Sequence, residues 1–136
     1  MLNNRKVNIS NSWEDNKNKI FYFPVTIINN NYECNRIHPL KQKVVNDIYN
    51  YVSANDCIDK VIIFGSSVNI RCNKKSDIDI AIKVKESYLT REIQNVLSED
   101  ILEVSGYNSD IVWLNTLDKD TRLYNNINIK GVVIYE

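Results

Sequence analysis

The order of apolar and polar runs predicts an α/β or α+β fold, and three observations carry that prediction. Strand-length runs rich in β-branched residues recur at Val61-Ile62-Ile63-Phe64, Ile78-Asp79-Ile80-Ala81-Ile82 and Ile111-Val112-Trp113-Leu114. Around them lie segments whose apolar residues return at helical spacing. No internal repeat or interdomain linker interrupts the alternation, and 136 residues suffice for one domain with a core that needs no disulfides.

Residues 1–19 are polar, rich in Asn and Lys, with a lone Trp13, and read as a loosely ordered lead-in. Ile20-Phe21-Tyr22-Phe23 and Val25-Thr26-Ile27-Ile28 flank Pro24, and Asn29-Asn30-Asn31 forms a turn cluster before a returning run over 32–37. This spells an N-terminal β-hairpin whose first strand Pro24 confines to an edge or bulge. Phe21, Tyr22 and Phe23 suit its core better than base stacking. A helix follows over about 40–54, with Leu40, Val44, Val45, Ile48, Tyr51 and Val52 on one face and Pro39 in its first turn. His38 before it suits capping or packing.

Strands are expected over 60–64 and 77–84. A helix over 89–101 places Ile93, Val96, Leu97 and Ile101 on one face, and Ser105-Gly106-Tyr107-Asn108 breaks it. Glu99, Asp100 and Glu103 read as its solvated end. A strand over 109–114, a helix over 117–129 ended by Lys130-Gly131, and a strand Val132-Val133-Ile134-Tyr135 complete the chain. The chain divides into an extension, 1–37, and a main domain, 38–136.

Composition narrows the function. Seventeen basic and seventeen acidic residues cancel, so no global field draws the protein onto a DNA- or RNA-sized partner. Cys34, Cys57 and Cys72 are odd in number and widely spaced, which suits reduced thiols rather than a disulfide framework or zinc site. The start, MLNNRKVNISNSW, lacks an export signal, and the apolar runs are too short to span a bilayer. A soluble cytoplasmic protein is expected.

The chemistry gathers in Val61–Val84. Asp77 and Asp79 stand two apart on a strand and so share a face, while Ile78, Ile80 and Ile82 point into the core. Two like charges so close repel and are costly to desolvate, and a hard divalent cation such as Mg²⁺ would hold them. Asp110 lies near the start of a later strand; if that strand neighbours the first, three carboxylates converge. Such a set can hold metal against a nucleoside triphosphate, and the third acid can accept a proton from an incoming hydroxyl. Gly65 and Ser66 supply the complementary half, because glycine lets the backbone approach phosphates that N–H groups and a hydroxyl can bind. A short helical turn from Ser67 to Ile70 would present its N-terminal end to the anion. The alternatives are solvent-facing acids on an edge strand, a strand-start turn device at Asp110, and a purely structural turn at Gly65-Ser66. Cys72 reads as a small packed residue.

These positions resemble the nucleotidyltransferase superfamily related to DNA polymerase β, in particular its minimal nucleotidyltransferases (MNT). The shared pattern is an apolar strand ending in Gly65-Ser66, a spacer, Asp77-Ile78-Asp79 in the next strand, Asp110 on a later one, and the closing Gly131-Val132-Val133-Ile134-Tyr135. The resemblance covers roughly 40–136. It implies a small mixed β-sheet backed by helices and Mg²⁺-dependent transfer of NMP, chiefly AMP from ATP, to a hydroxyl. It also implies metal binding by Asp77, Asp79 and Asp110 and phosphate binding by Gly65, Ser66 and Ser67. Many members carry Arg-Gly where Asn69-Ile70 stand here; Arg71, with Lys74 and Lys75 nearby, is the basic residue left for phosphate.

Family members of this size often pair with a helical protein, a HEPN-type ribonuclease toxin silenced by AMP addition to a tyrosine. A HEPN-type acceptor is therefore expected. Two rivals stand beside it: a non-catalytic antitoxin acting by occlusion, and an aminoglycoside-type adenylyltransferase whose pocket a homodimer completes.

Overall fold

A computed structural model describes Phe23 and residues 36–136. The expected hairpin lies outside the described residues except at Phe23, Arg36 and Ile37, the last two of which turn rather than extend. Among the described residues three helices, α1 (Pro39–Ser53), α2 (Arg91–Val104) and α3 (Arg122–Lys130), accompany four strands, β1 (Ile58–Phe64), β2 (Ile78–Val84), β3 (Ser109–Trp113) and β4 (Val132–Tyr135). Short 3₁₀ turns, Gly65–Val68 and Glu86–Tyr88, follow β1 and β2.

The strands form one mixed sheet in the order β3-β2-β1-β4. β1 runs antiparallel to β2 and β4, whereas β2 and β3 are parallel. A parallel pair needs a crossover, and α2 supplies it.

Strand alternation gives the sheet two unlike faces. Val61, Ile63, Ile78, Ile80, Ile82, Val84, Val132 and Ile134 pack with Val45, Ile48 and Val52 of α1 and Leu97 and Ile101 of α2. Each isoleucine enclosed there contributes about 1.5–3 kcal/mol relative to exposure. The opposite face carries Ile62, Phe64 and Ala81, which meet Ile127 of α3. Among the described residues, one face is thickly covered and the other thinly.

The helices differ from the sequence expectation in informative ways. His38 caps α1, its Nδ1 accepting from Leu40 N at 3.2 Å, with Pro39 in the first turn. Leu40, however, is 45% exposed, whereas Lys41 is 6% exposed and Gln42 is fully buried. The buried stripe runs Lys41-Val45-Ile48-Val52, spaced four, three and four residues, so the lysine takes the place expected of the leucine. Val96 likewise faces solvent, leaving Leu97 and Ile101 to anchor α2. Asp100 is no mere solvated end: its Oδ2 accepts from the Tyr51 hydroxyl at 2.7 Å and ties α2 to α1.

The last helix starts five residues later than its expected first residue, at Arg122 rather than Leu117. Asp118 Oδ1 accepts from Asp120 N, and Thr121 caps Tyr124 N, so side-chain turns claim the intervening backbone. At its far end Gly131 is required by close approach, because a Cβ there would collide with Ile127 O and Ile62 Cγ2.

Candidate active site

The carboxylates gather where β1 ends and β2 and β3 begin. Asp79 lies opposite Phe64 of β1 and in register with Asp110 of β3. Alternation turns both acids to the thinly covered face, beside Phe64, Ala81 and Val112. Neighbouring strands stand about 4.8 Å apart, so the two side chains are adjacent. Asp77 sits one residue outside β2 and is exposed, as is Asp110, while Asp79 is partly buried.

Gly65 closes the site from the β1 side. Its φ of +72° is left-handed, and a Cβ there would run into Asp79 Oδ2. The turn thus brings backbone directly against a carboxylate, which only glycine permits. Asn69 N donates to Ser66 O at 3.0 Å to close the 3₁₀ turn, and Ser66 Oγ makes a long 3.4 Å contact with Asp77 O. Ser67 is fully buried, its carbonyl accepting from His38 N at 2.7 Å and its hydroxyl lacking a hydrogen-bond partner.

The following loop is shaped by asparagines. Asn69 Oδ1 accepts from Arg71 N at 2.9 Å, and Asn73 Oδ1 from Lys75 N at 2.8 Å, two successive Asx-turns. Asn108 Nδ2 donates to Ser76 O, and Ile78 N to Asn108 O, joining the loop's end to the strand that carries Asp110. Arg71, Lys74 and Lys75 are exposed. Cys72 is packed inward, 7% exposed.

Electrostatics single out Asp79. Burial first, then the Asp110 and Asp77 carboxylates, push its pKa above the ordinary carboxylate value. All three perturbations disfavour the ionised form, the condition a cation relieves. The donors fit a hard divalent ion in kind and charge: carboxylate oxygens, mutually repelling, beside an approachable backbone turn. Among the described residues, however, no group of three His, Cys, Asp or Glu side chains is already disposed to enclose a metal. The structure brings Asp79, Asp110 and Gly65 together, with Asp77 and Ser66 at the margin, and buries Ser67.

Sequence reasoning missed two features here. The Asn69 and Asn73 turns were visible as Asn two residues before Arg71 and Lys75. Lys41 was also visible, as a lysine four residues before Val45 on the apolar stripe of α1.

A mixed sheet with a Gly-Ser turn facing strand-borne aspartates defines a nucleotidyltransferase fold. The family model "Polymerase beta, Nucleotidyltransferase" matches residues 46–136, more than half of the chain, and the chain belongs to that family.

Solved structures agree in fold. A toxin–antitoxin complex with AMP-PNP matches at 21% identity and TM-score 0.55, over 66% of this chain and 71% of the other. A tri-AMPylated Shewanella oneidensis HEPN toxin in complex with MNT antitoxin matches at 20% identity and TM-score 0.53, over 70% and 71%. The toxin–antitoxin MntA-HepT matches at 20% identity and TM-score 0.52, over 69% and 71%. No curated protein matches in sequence. No helix among the described residues is long and apolar enough to cross a membrane.

Proposed function

We propose that this chain is a Mg²⁺-dependent nucleotidyltransferase that moves AMP from ATP to a hydroxyl of a helical, HEPN-type partner protein. The observation that carries the proposal is the in-register pair Asp79 and Asp110, with Gly65 pressed against the Asp79 carboxylate. The neighbouring folds come from toxin–antitoxin complexes, one with AMP-PNP and one with an AMPylated HEPN toxin, which supports the nucleotide and the partner. We assign 38–136 as the catalytic domain, 1–37 as its extension, and the cytoplasm as its place of action.

Asp77, Asp79 and Asp110 would hold the metal, which would supply charge neutralisation for the phosphates and alignment of the reacting oxygens. Gly65 lets the triphosphate approach the backbone, and the Ser66 hydroxyl and following N–H groups donate to its oxygens. Ser67 serves through its backbone, since its side chain is interior. Arg71 meets phosphate from the loop. Asp110, exposed at the outer strand of the site, accepts the proton of the incoming hydroxyl. The acceptor oxygen bonds to the α-phosphorus as the bond to the bridging oxygen breaks, and pyrophosphate departs.

The test is labelling of a co-purified partner with α-labelled ATP by wild type and by Asp77→Ala plus Asp79→Ala. Loss of label with the fold retained is expected; undiminished label overturns the mechanism. If that double variant still protects cells from the partner, occlusion alone suffices. Transfer to an aminoglycoside instead of protein would overturn the choice of acceptor.

A further inference from the structure

We propose that Lys41 is a second cation, beside Arg71, that binds the terminal phosphates of the triphosphate at this site, an inference that rests on the nucleotidyltransferase reading above. Its ammonium is an anomaly. Lys41 is 6% exposed, on the core-facing stripe of α1, yet among the described residues its ammonium has a single hydrogen bond, a 3.5 Å contact from Nζ to Lys74 O. A buried ammonium with so weak a partner is destabilising unless an anion pairs with it.

The position supplies the anion. The first turn of α1 is seated on the phosphate turn, because His38 N donates to Ser67 O and Lys41 N donates to His38 O at 2.8 Å. From there the side chain runs under the loop that follows Gly65–Val68, reaching Lys74 O. Its charge is felt by Cys72 in that loop and by His38. The same junction holds a second unsatisfied group, the Ser67 hydroxyl, fully buried and without a hydrogen-bond partner. An ammonium and a hydroxyl, both enclosed and both underused, flank one loop.

A phosphate oxyanion is the ligand this ammonium lacks, because it accepts from a charged donor in a stronger hydrogen bond than a neutral carbonyl does. The placement also resolves a conflict built into such sites. A lysine beside Asp77, Asp79 and Asp110 would pair with them and compete with the metal. Lys41 stands on α1, which packs on the opposite face of the sheet from Asp79 and Asp110. It can therefore neutralise phosphate across the loop without quenching the carboxylates. The family's basic residue is absent at Asn69-Ile70, and Lys41 adds charge from the helix beside Arg71.

The experiment titrates the full-length protein with ATP, ADP, AMP and adenosine in Ca²⁺, comparing wild type with Lys41→Met and Lys41→Arg. Losing one charged contact to phosphate should weaken ATP binding about 10- to 100-fold in Lys41→Met and leave adenosine binding unchanged. Lys41→Arg should restore most of the affinity. Without ligand, Lys41→Met should melt no lower than wild type, because it removes a poorly paired buried charge. Equal loss of ATP and adenosine binding, or a lowered melting point with undiminished ATP binding, would assign Lys41 to structure alone and overturn the proposal.

A measurement on wild type needs no variant to fold. The Lys41 ammonium ¹⁵N resonance should shift with ATP and not with adenosine, and a resonance insensitive to ATP overturns the proposal. If wild type binds ATP and Lys41→Met binds it equally, only this inference fails. If wild type binds no nucleotide, the nucleotidyltransferase reading itself fails.

Discussion

Replacing Asp79 by asparagine should stabilise the metal-free protein at neutral pH while removing its response to metal. The substitution keeps shape and removes charge. In the folded state the Asp79 pKa is pushed above its ordinary value by burial, then by Asp110 and Asp77. A group raised on folding contributes fully below its unfolded value, and that contribution is lost as pH rises through the folded value. At pH 7 the ionised Asp79 therefore opposes folding. Two unit charges about 5 Å apart repel by about 0.8 kcal/mol in water and about 3 kcal/mol at an effective dielectric of 20. Asp110 is exposed and Asp79 only partly buried, so screening favours the lower end, about 1 kcal/mol.

For a domain of this size that is a rise of about 3–5 °C in melting temperature. Calorimetry of wild type and Asp79→Asn without metal at pH 7 measures it, and the gap should close as pH falls toward 4. Added Mg²⁺ or Mn²⁺ should raise the wild-type melting point and leave the variant's in place. A variant that melts lower than wild type at pH 7, with the fold intact, would refute the view that the carboxylates repel in the free protein.

Three further outcomes follow from local geometry. Gly65→Ala places a side chain at φ +72°, worth about 1–2 kcal/mol, and drives its Cβ into Asp79; urea denaturation should show at least that loss, and calorimetric titration should show ATP binding abolished. Tyr51→Phe removes the 2.7 Å hydrogen bond to Asp100 that ties α1 to α2; a loss of about 1 kcal/mol in the same assay is expected, with ATP affinity unchanged. His38 is held below its ordinary value by burial and then by Lys41, so its contribution is present above about pH 6.5 and lost as pH falls through the lowered folded value. Between pH 7 and 5, wild type should lose more stability than His38→Asn, which keeps a capping oxygen and does not titrate.

The strands were legible in the sequence because apolar runs with period two leave little choice of face. Ile78, Ile80 and Ile82 are buried as their spacing demands, and Val132–Tyr135 forms the final strand as expected. Helix boundaries and faces were less legible because polar side chains intervene. Thr90 and Thr121 set helix starts by capping, a signal weaker to the eye than apolar periodicity. Lys41 displaced Leu40 from the core since a lysine on an apolar stripe reads as an exception rather than as a member. Within the site, the pairing of Asp79 with Asp110 depends on which strands are neighbours, a long-range fact that no local pattern encodes.

The two faces of the sheet explain why such a repulsive site persists. Burial on the α1–α2 side is dense, with Ile63, Ile80 and Ile82 fully enclosed, so that side holds the strands in register whatever lies opposite. On the other side α3 contributes one fully buried residue, Ile127, near Ile62, Phe64 and Ala81. Toward the ends of β2 and β3 the apolar cluster gives way to Asp79 and Asp110. A sheet covered equally on both faces would have to desolvate those carboxylates completely, at a penalty of several kcal/mol for each ion. The thin side keeps Asp110 exposed and Asp79 partly so, leaving a repulsion small enough for the opposite core to offset and large enough for a cation to relieve. Affinity for metal and the instability of the free site are then one quantity, and a change that lowers the second without lowering the first would have to act outside the three carboxylates.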